Sequence, residues 1–257
     1  MHQSSVIDLE EFVDEKNGRV LCYPKYDLAE LKNRIDELSR LGVMALEFVG
    51  EKTVFNMPVL GKGCVGIVMV ARTKKGKTAL KIRRMDADRN EMKHEAEMLK
   101  KANTVKVGPR LLGVTENFLL MEFIKGPLLF RWVSMLKGRG AKPKIRKVLR
   151  DILEQCWRLD KTGLDHGELS KAPKHIIIDE EDKPHIVDFE TASVSRRVTN
   201  VTSMCQYLFM ESEVARIVEK RLGYIKKDEL IEALKVYKRQ HSRQNFDKVL
   251  KTCRLNH

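Results

Sequence analysis

Three glycines within six residues, Gly61, Gly63 and Gly66, are followed at once by Ile67-Val68-Met69-Val70. A run of β-branched and apolar residues favours a strand, so the glycines belong to a turn between two strands. A dinucleotide-binding unit needs a helix directly after its glycines to meet the pyrophosphate, and that reading fails here. Gly76-Lys77-Thr78 has the end of a Walker A loop, but the first glycine of that motif falls on Ala71, inside a strand. What remains is a β-turn-β flap whose backbone approaches a triphosphate where a side chain would intrude.

Such a flap needs a fixed cation on the next strand. Thr78 to Arg83 reads as that strand, and Lys81 stands in it among Ala79, Leu80 and Ile82. A lysine buried in this way requires an acidic partner. The helix expected over 87–102 offers Glu95 on the face of Met92 and Leu99. Glu97 shares its face with Lys93, His94, Lys100 and Lys101, which is a solvated face, and Glu91 is a lesser substitute.

Further along, the pattern divides the chain. Asp27 caps a helix carrying Leu28, Leu31, Ile35, Leu38 and Leu41, closed by Gly42. Two strand-like runs, 43–49 and 53–57, follow as an expected hairpin, so residues 1–57 read as an extension, either a winged-helix remnant or a cap. Residues 58–124 read as a small lobe of five antiparallel strands and one helix. Past Gly126 the character is helical, with Ile145, Val148, Leu149, Ile152, Cys156 and Leu159 spaced for a helix over 144–162. A hairpin of 176–178 and 186–189 and three or four C-terminal helices, the last over 237–254, complete a lobe of residues 125–257. The fold class expected is α+β, with an antiparallel-sheet lobe and a helical lobe.

Two short polar segments carry the remaining chemistry. His166-Gly167-Glu168-Leu169 lies between a helix and a strand, and Asp188-Phe189-Glu190 ends the hairpin. An aspartate there can bridge Mg²⁺ to the β- and γ-phosphates. In order and spacing, the stretches LGKGCVGIVMVA, ALKIRRMDADR, LLMEFIKG, LDHGELSKAPKHIII and IVDFETAS resemble protein kinases over about residues 59 to 192. They are most similar to an archaeal group of predicted serine/threonine kinases related to the compact RIO-type atypical kinases.

The resemblance implies a bilobal kinase-like fold, ATP and Mg²⁺ as cofactors, and a role for each matching residue. Gly61, Lys62, Gly63, Cys64, Val65 and Gly66 would cover the phosphates, with Val68 and Ala79 against the nucleotide. Lys81 would bind the phosphates and Glu95 would orient it. Met121, Glu122, Phe123 and Ile124 would form the adenine hinge, and Asp188 would hold the metal. Three departures stand out. The catalytic aspartate position is Glu168, still able to accept a hydroxyl proton. His175 occupies the position of the metal-ligating asparagine, although histidine suits hard Mg²⁺ poorly. Glu190 replaces the glycine after Asp188-Phe189. Asp165 and His166 brace the loop, and Lys171 and Lys174 flank Glu168.

The formal net charge of +13 bears on partners. Seven cations without an acid, Lys137, Arg139, Lys142, Lys144, Arg146, Lys147 and Arg150, point to a polyanion such as RNA or a ribosomal particle. The same residues also suit an ordinary solvated face. An aromatic content of 6% leaves few stacking platforms for single strands. Five scattered cysteines without a C-x-x-C pair fit a reducing cytoplasm rather than a zinc site or disulfide framework. No apolar run reaches membrane-spanning length, and Met1 to Lys16 lacks the apolar core of a signal peptide. Three functions remain open: a serine/threonine kinase, an ATPase acting on an RNA or ribosomal particle, and a pseudokinase that keeps ATP as a ligand.

Overall fold

The computed structural model describes residues 5–210 and 212–256, with the side chains of Lys171, Ala172 and Pro173 outside the described set. The chain divides into two units, one of residues 1–100 and 109–123, the other of 101–108 and 124–257.

In the first unit the chain opens with β1 (Ser5–Asp8), a 3-10 turn at Leu9–Glu11, α1 (Glu15–Gly18) and α2 (Leu28–Arg40). Asp27 caps α2, its carboxylate accepting from Glu30 N, and Gly42 leaves the helix with φ +72°. Then come β2 (Val43–Phe48), β3 (Lys52–Val54), β4 (Met57–Val59), β5 (Gly61–Lys62), β6 (Gly66–Thr73) and β7 (Gly76–Arg83). After α3 (Glu91–Thr104), β8 (Leu111–Val114) and β9 (Phe118–Glu122) complete the sheet. All pairings are antiparallel in the order β1-β2-β6-β7-β9-β8, with β5 on β6.

The expected hairpin of runs 43–49 and 53–57 does not form. β2 pairs with β6, while β3 pairs with β4. Five of the six β2 residues are buried, which suits an inner strand and not the edge of a small hairpin. The extension therefore shares one core with the lobe that follows it. Phe12, Leu21, Leu31 and Leu38 pack in the same cluster as Ile67, Leu80 and Phe118.

The second unit holds α4 (Leu129–Met135), α5 (Ala141–Lys161), a 3-10 turn at Leu169–Lys174, and the hairpin of β10 (Ile176–Ile178) and β11 (Pro184–Ile186). α6 (Asn200–Phe209), α7 (Glu213–Leu222), α8 (Lys227–Arg239) and α9 (Arg243–Thr252) follow. α5 begins ahead of the expected position because Pro143 is tolerated in a first turn, where no intrahelical N–H is required. Its apolar stripe is fully buried, and Gly163 leaves it with φ +70°. The single helix expected over 237–254 is two. Gln240 is extended, and the Ser242 hydroxyl accepts from Asn245 N to start α9 afresh. Among the described residues no helix is long and apolar enough to cross a membrane.

Candidate active site

In the first unit the glycine turn joins β5 to β6. Gly63 N donates to Gly66 O at 2.8 Å and Leu60 N to Val68 O at 2.9 Å. Gly66 is the sterically demanding position. A Cβ there would lie 2.9 Å from Ile82 O and 3.1 Å from the Lys81 stem, so a larger residue must shift the β7 backbone and crowd Lys81. At Gly61 and Gly63 an added Cβ would meet nothing closer than 3.5 Å.

Lys81, opposite Val68 on β6, is 4% exposed, and Glu95 on α3 is 2% exposed. Lys81 Nζ and Glu95 Oε2 are 2.7 Å apart. Glu97 points into solvent and Glu91 is half-buried, as the helical face of Met92 and Leu99 requires. Ala79 is the register partner of Met121, and both are buried. Glu122 is exposed and joined to Arg110 twice, its N donating to Arg110 O at 2.9 Å and its Oε2 accepting from Arg110 N at 3.1 Å. Phe123 and Ile124 are half-buried. Lys62 and Cys64 are exposed, and Val65 is half-buried.

In the second unit His175, immediately after the 3-10 turn, gathers the acids. Its Nε2 lies 2.9 Å from Glu168 Oε2, and its Nδ1 lies 3.7 Å from Asp188 Oδ2. The imidazole is buried, at 7% side-chain exposure, whereas each carboxylate is 42% exposed. Nδ1 is a buried atom without a hydrogen bond. Asp188 lies just past β11, in a loop rather than on the strand, with φ +70°. Aspartate tolerates this left-handed conformation better than most side chains do. Phe189 beside it is buried, its ring 5.0 Å from that of His166.

Asp165 and His166 hold the loop. Asp165 Oδ1 accepts from Thr199 N at 2.9 Å and Oγ1 at 3.1 Å, and Oδ2 accepts from Arg196 Nε at 3.2 Å. His166 N donates to Asn200 Oδ1 at 2.8 Å, and Nε2 donates to Val187 O at 3.1 Å. Burial, with His175 nearby, pushes the His166 pKa down to about 4, so the ring is neutral near pH 7. Lys174 is exposed, and the side chain of Lys171 lies outside the described residues.

Sequence reasoning passed over two supports. Arg84 touches the glycine turn, and Asn200 links His166 to Asp160 and Leu164 O. Their contacts to the two loops are main-chain ones, Gly63 O and Val65 O for Arg84 and His166 N and Leu164 O for Asn200, which leave no mark in residue identity.

The model of the RIO domain matches residues 68–206. An uncharacterised protein of Methanocaldococcus jannaschii is 33% identical over 103 residues, 40% of this chain and 84% of that protein. The serine/threonine-protein kinase YabT of Bacillus subtilis is 38% identical over 132 residues, 46% of this chain and 36% of the kinase. CBL-interacting serine/threonine-protein kinase 5 of Arabidopsis thaliana is 22% identical over 210 residues, 82% of this chain and 42% of the kinase. The chain thus spans less than half the length of either kinase.

Proposed function

The chain belongs to the RIO-domain family, whose fold is kinase-like, and we propose that it transfers the γ-phosphoryl group of ATP to a serine or threonine hydroxyl of a protein. The buried Lys81–Glu95 pair carries this reading. Taking two charges out of water costs about as much as their attraction returns, so stability alone does not account for the pair, and an ammonium fixed beside a glycine turn is what a triphosphate needs. In the first unit the glycine turn and Lys81 take the phosphates and Val68, Ala79 and Met121 give the base apolar surface; Glu122 and Phe123, with Ile124 that follows them, act as the adenine hinge.

The second unit supplies the transfer chemistry. Glu168 is the general base. His175 Nε2 occupies its Oε2, leaving Oε1 to take the acceptor's proton as the phosphorus–oxygen bond forms and ADP leaves. Asp188 would hold Mg²⁺, and the buried His175 Nδ1 on the Asp188 side would be at most a weak second donor, since histidine suits so hard an ion poorly. When bound, the ion neutralises charge on the β- and γ-phosphates.

The test is the fate of label from γ-labelled ATP. A kinase puts it on protein. Free phosphate without labelled protein identifies an ATPase, and bound but intact ATP identifies a binding module; either result overturns the transfer reading.

A second reading is that an RNA engages residues 137–150. Lys137, Arg139, Lys142 and Lys147 are exposed on and before the first turns of α5. Lys144 is held by Asp182 at 2.7 Å, and Arg146 Nε donates to Arg254 O at 3.2 Å. If these four exposed cations meet phosphates, log affinity for a single-stranded RNA falls with log salt at a slope of about −3. A flat salt response removes this reading.

A further inference from the structure

Arg84, the residue after β7, grips the glycine turn twice. Its backbone N donates to Val65 O at 2.8 Å, and its Nη1 donates to Gly63 O at 3.2 Å. The guanidinium is itself fixed. Asp86 takes it in a fork, Nε to Oδ1 at 2.8 Å and Nη2 to Oδ2 at 2.7 Å. The Tyr23 ring lies 5.1 Å from its Cζ, and the Lys62 ammonium, on β5 beside the turn, lies 4.8 Å from the same ring. Tyr23 O accepts from Met85 N at 2.8 Å, which ties that ring to the end of the same strand.

These contacts decide where the turn's amides point. A trans peptide directs its C=O and N–H to opposite sides. With Gly63 O and Val65 O drawn to Arg84, the N–H groups of Cys64 and Gly66 face away from it. Closely spaced backbone donors of this kind make an anion-binding nest. The turn's own bond from Gly63 N to Gly66 O and the close packing of Gly66 fix one side of it, but Gly61 and Gly63 have room for a Cβ and glycine is the least constrained residue. An external clamp is needed to keep the donors aimed.

We propose that Arg84, held by Asp86 and Tyr23, is the positioning residue of the phosphate turn and presets the Cys64 and Gly66 amides for the polyphosphate of ATP. Binding then does not have to order the turn, and affinity rises accordingly. Tyr23 belongs to the N-terminal extension, so the extension contributes directly to phosphate recognition. The inference rests on the nucleotide reading above and names the residue that tunes it.

Calorimetry on the full chain with ATP and with adenosine, which lacks phosphates, separates the two. In Arg84→Ala, ATP affinity falls about tenfold and adenosine affinity stays at the wild-type value. Arg84→Lys recovers part of the loss, because an ammonium reaches Gly63 O but cannot fork to Asp86. Tyr23→Leu shifts ATP affinity in the same direction by a smaller factor. Equal losses for ATP and adenosine, or an unchanged ATP affinity, overturn the proposal. If the wild-type chain binds no ATP, the nucleotide reading fails by itself, and Arg84 is then judged by hydrogen exchange at the bonded amides of Gly63 and of residue 84, which donate to Gly66 O and Val65 O. Exchange at these amides quickens in Arg84→Lys if the clamp is real and stays unchanged if it is not. The same Lys and Tyr23→Leu variants decide the matter should Arg84→Ala not fold.

Discussion

In Asp188→Asn, phosphoryl transfer falls by about 10²- to 10³-fold, the usual loss when one preorganised stabiliser of developing charge is removed. Thermal stability stays close to that of the parent, because a substitution at a half-exposed site away from a packed core changes folding free energy by about 0.5 kcal/mol or less. The Asp188 side chain is 42% exposed. Asparagine is the right replacement, since it accepts the left-handed backbone at φ +70° that alanine would strain. It keeps the shape and a weak oxygen donor but loses the charge that holds a divalent cation. Single turnover of γ-labelled ATP, beside nucleotide affinity measured without metal, separates chemistry from binding. Loss of transfer with metal-free affinity retained is the expected result, and full transfer in the variant would place the metal elsewhere. Lys81 is a poorer probe. Its removal also takes away the ammonium that buried Glu95 pairs with, so lost activity would be mixed with lost stability.

Lys81 and Glu95 were legible in the sequence because both rules involved are local. The strand after the glycine flap and the apolar neighbours Ala79, Leu80 and Ile82 placed Lys81, and the 3.6-residue period separated Glu95 from Glu97. The same locality explains what stayed hidden. The run from Val43 to Phe48 is plainly apolar, but its composition does not say that β6 is its neighbour. That choice depends on the core α2 shares with the sheet. The break between α8 and α9 turns on one hydroxyl, Ser242, competing with helix continuation. His175 was visible as an odd residue at a metal position. Its bond to Glu168 depends on a 3-10 turn over 169–174 that no periodicity announces. Arg84 gave no signal, because its acceptors at the turn are carbonyls.

The largest stability effect is expected at Arg34 on α2, which bonds the end of β7 next to the glycine turn. Arg34 has no exposed surface. Its Nη1 donates to Leu21 O and, at 2.7 Å, to Arg83 O; its Nη2 donates to Asn117 Oδ1 at 2.9 Å and its Nε to Glu30 Oε1 at 2.8 Å. Asn117 also accepts from Arg83, Nε at 3.0 Å and Nη2 at 2.7 Å, and binds Glu37 through its N at 3.0 Å and Nδ2 at 2.6 Å. Arg34→Met keeps most of the side-chain volume and removes every donor, so two buried carbonyls lose a bond and the two arginines no longer share Asn117. A loss of about 3–5 kcal/mol follows from the cost of breaking a buried charged network. The two tryptophans, Trp132 and Trp157, both lie in the second unit, so the measurement is hydrogen exchange at α2 and β7 in urea rather than fluorescence. Because the network ties α2 to the end of β7 and the turn before β9, both elements should lose protection together. Melting of α2 alone, with β7 unchanged, would show the extension to be a separable cap. Joint melting would mean that the strand end presenting Arg84 to the phosphate turn is held in place by the extension itself.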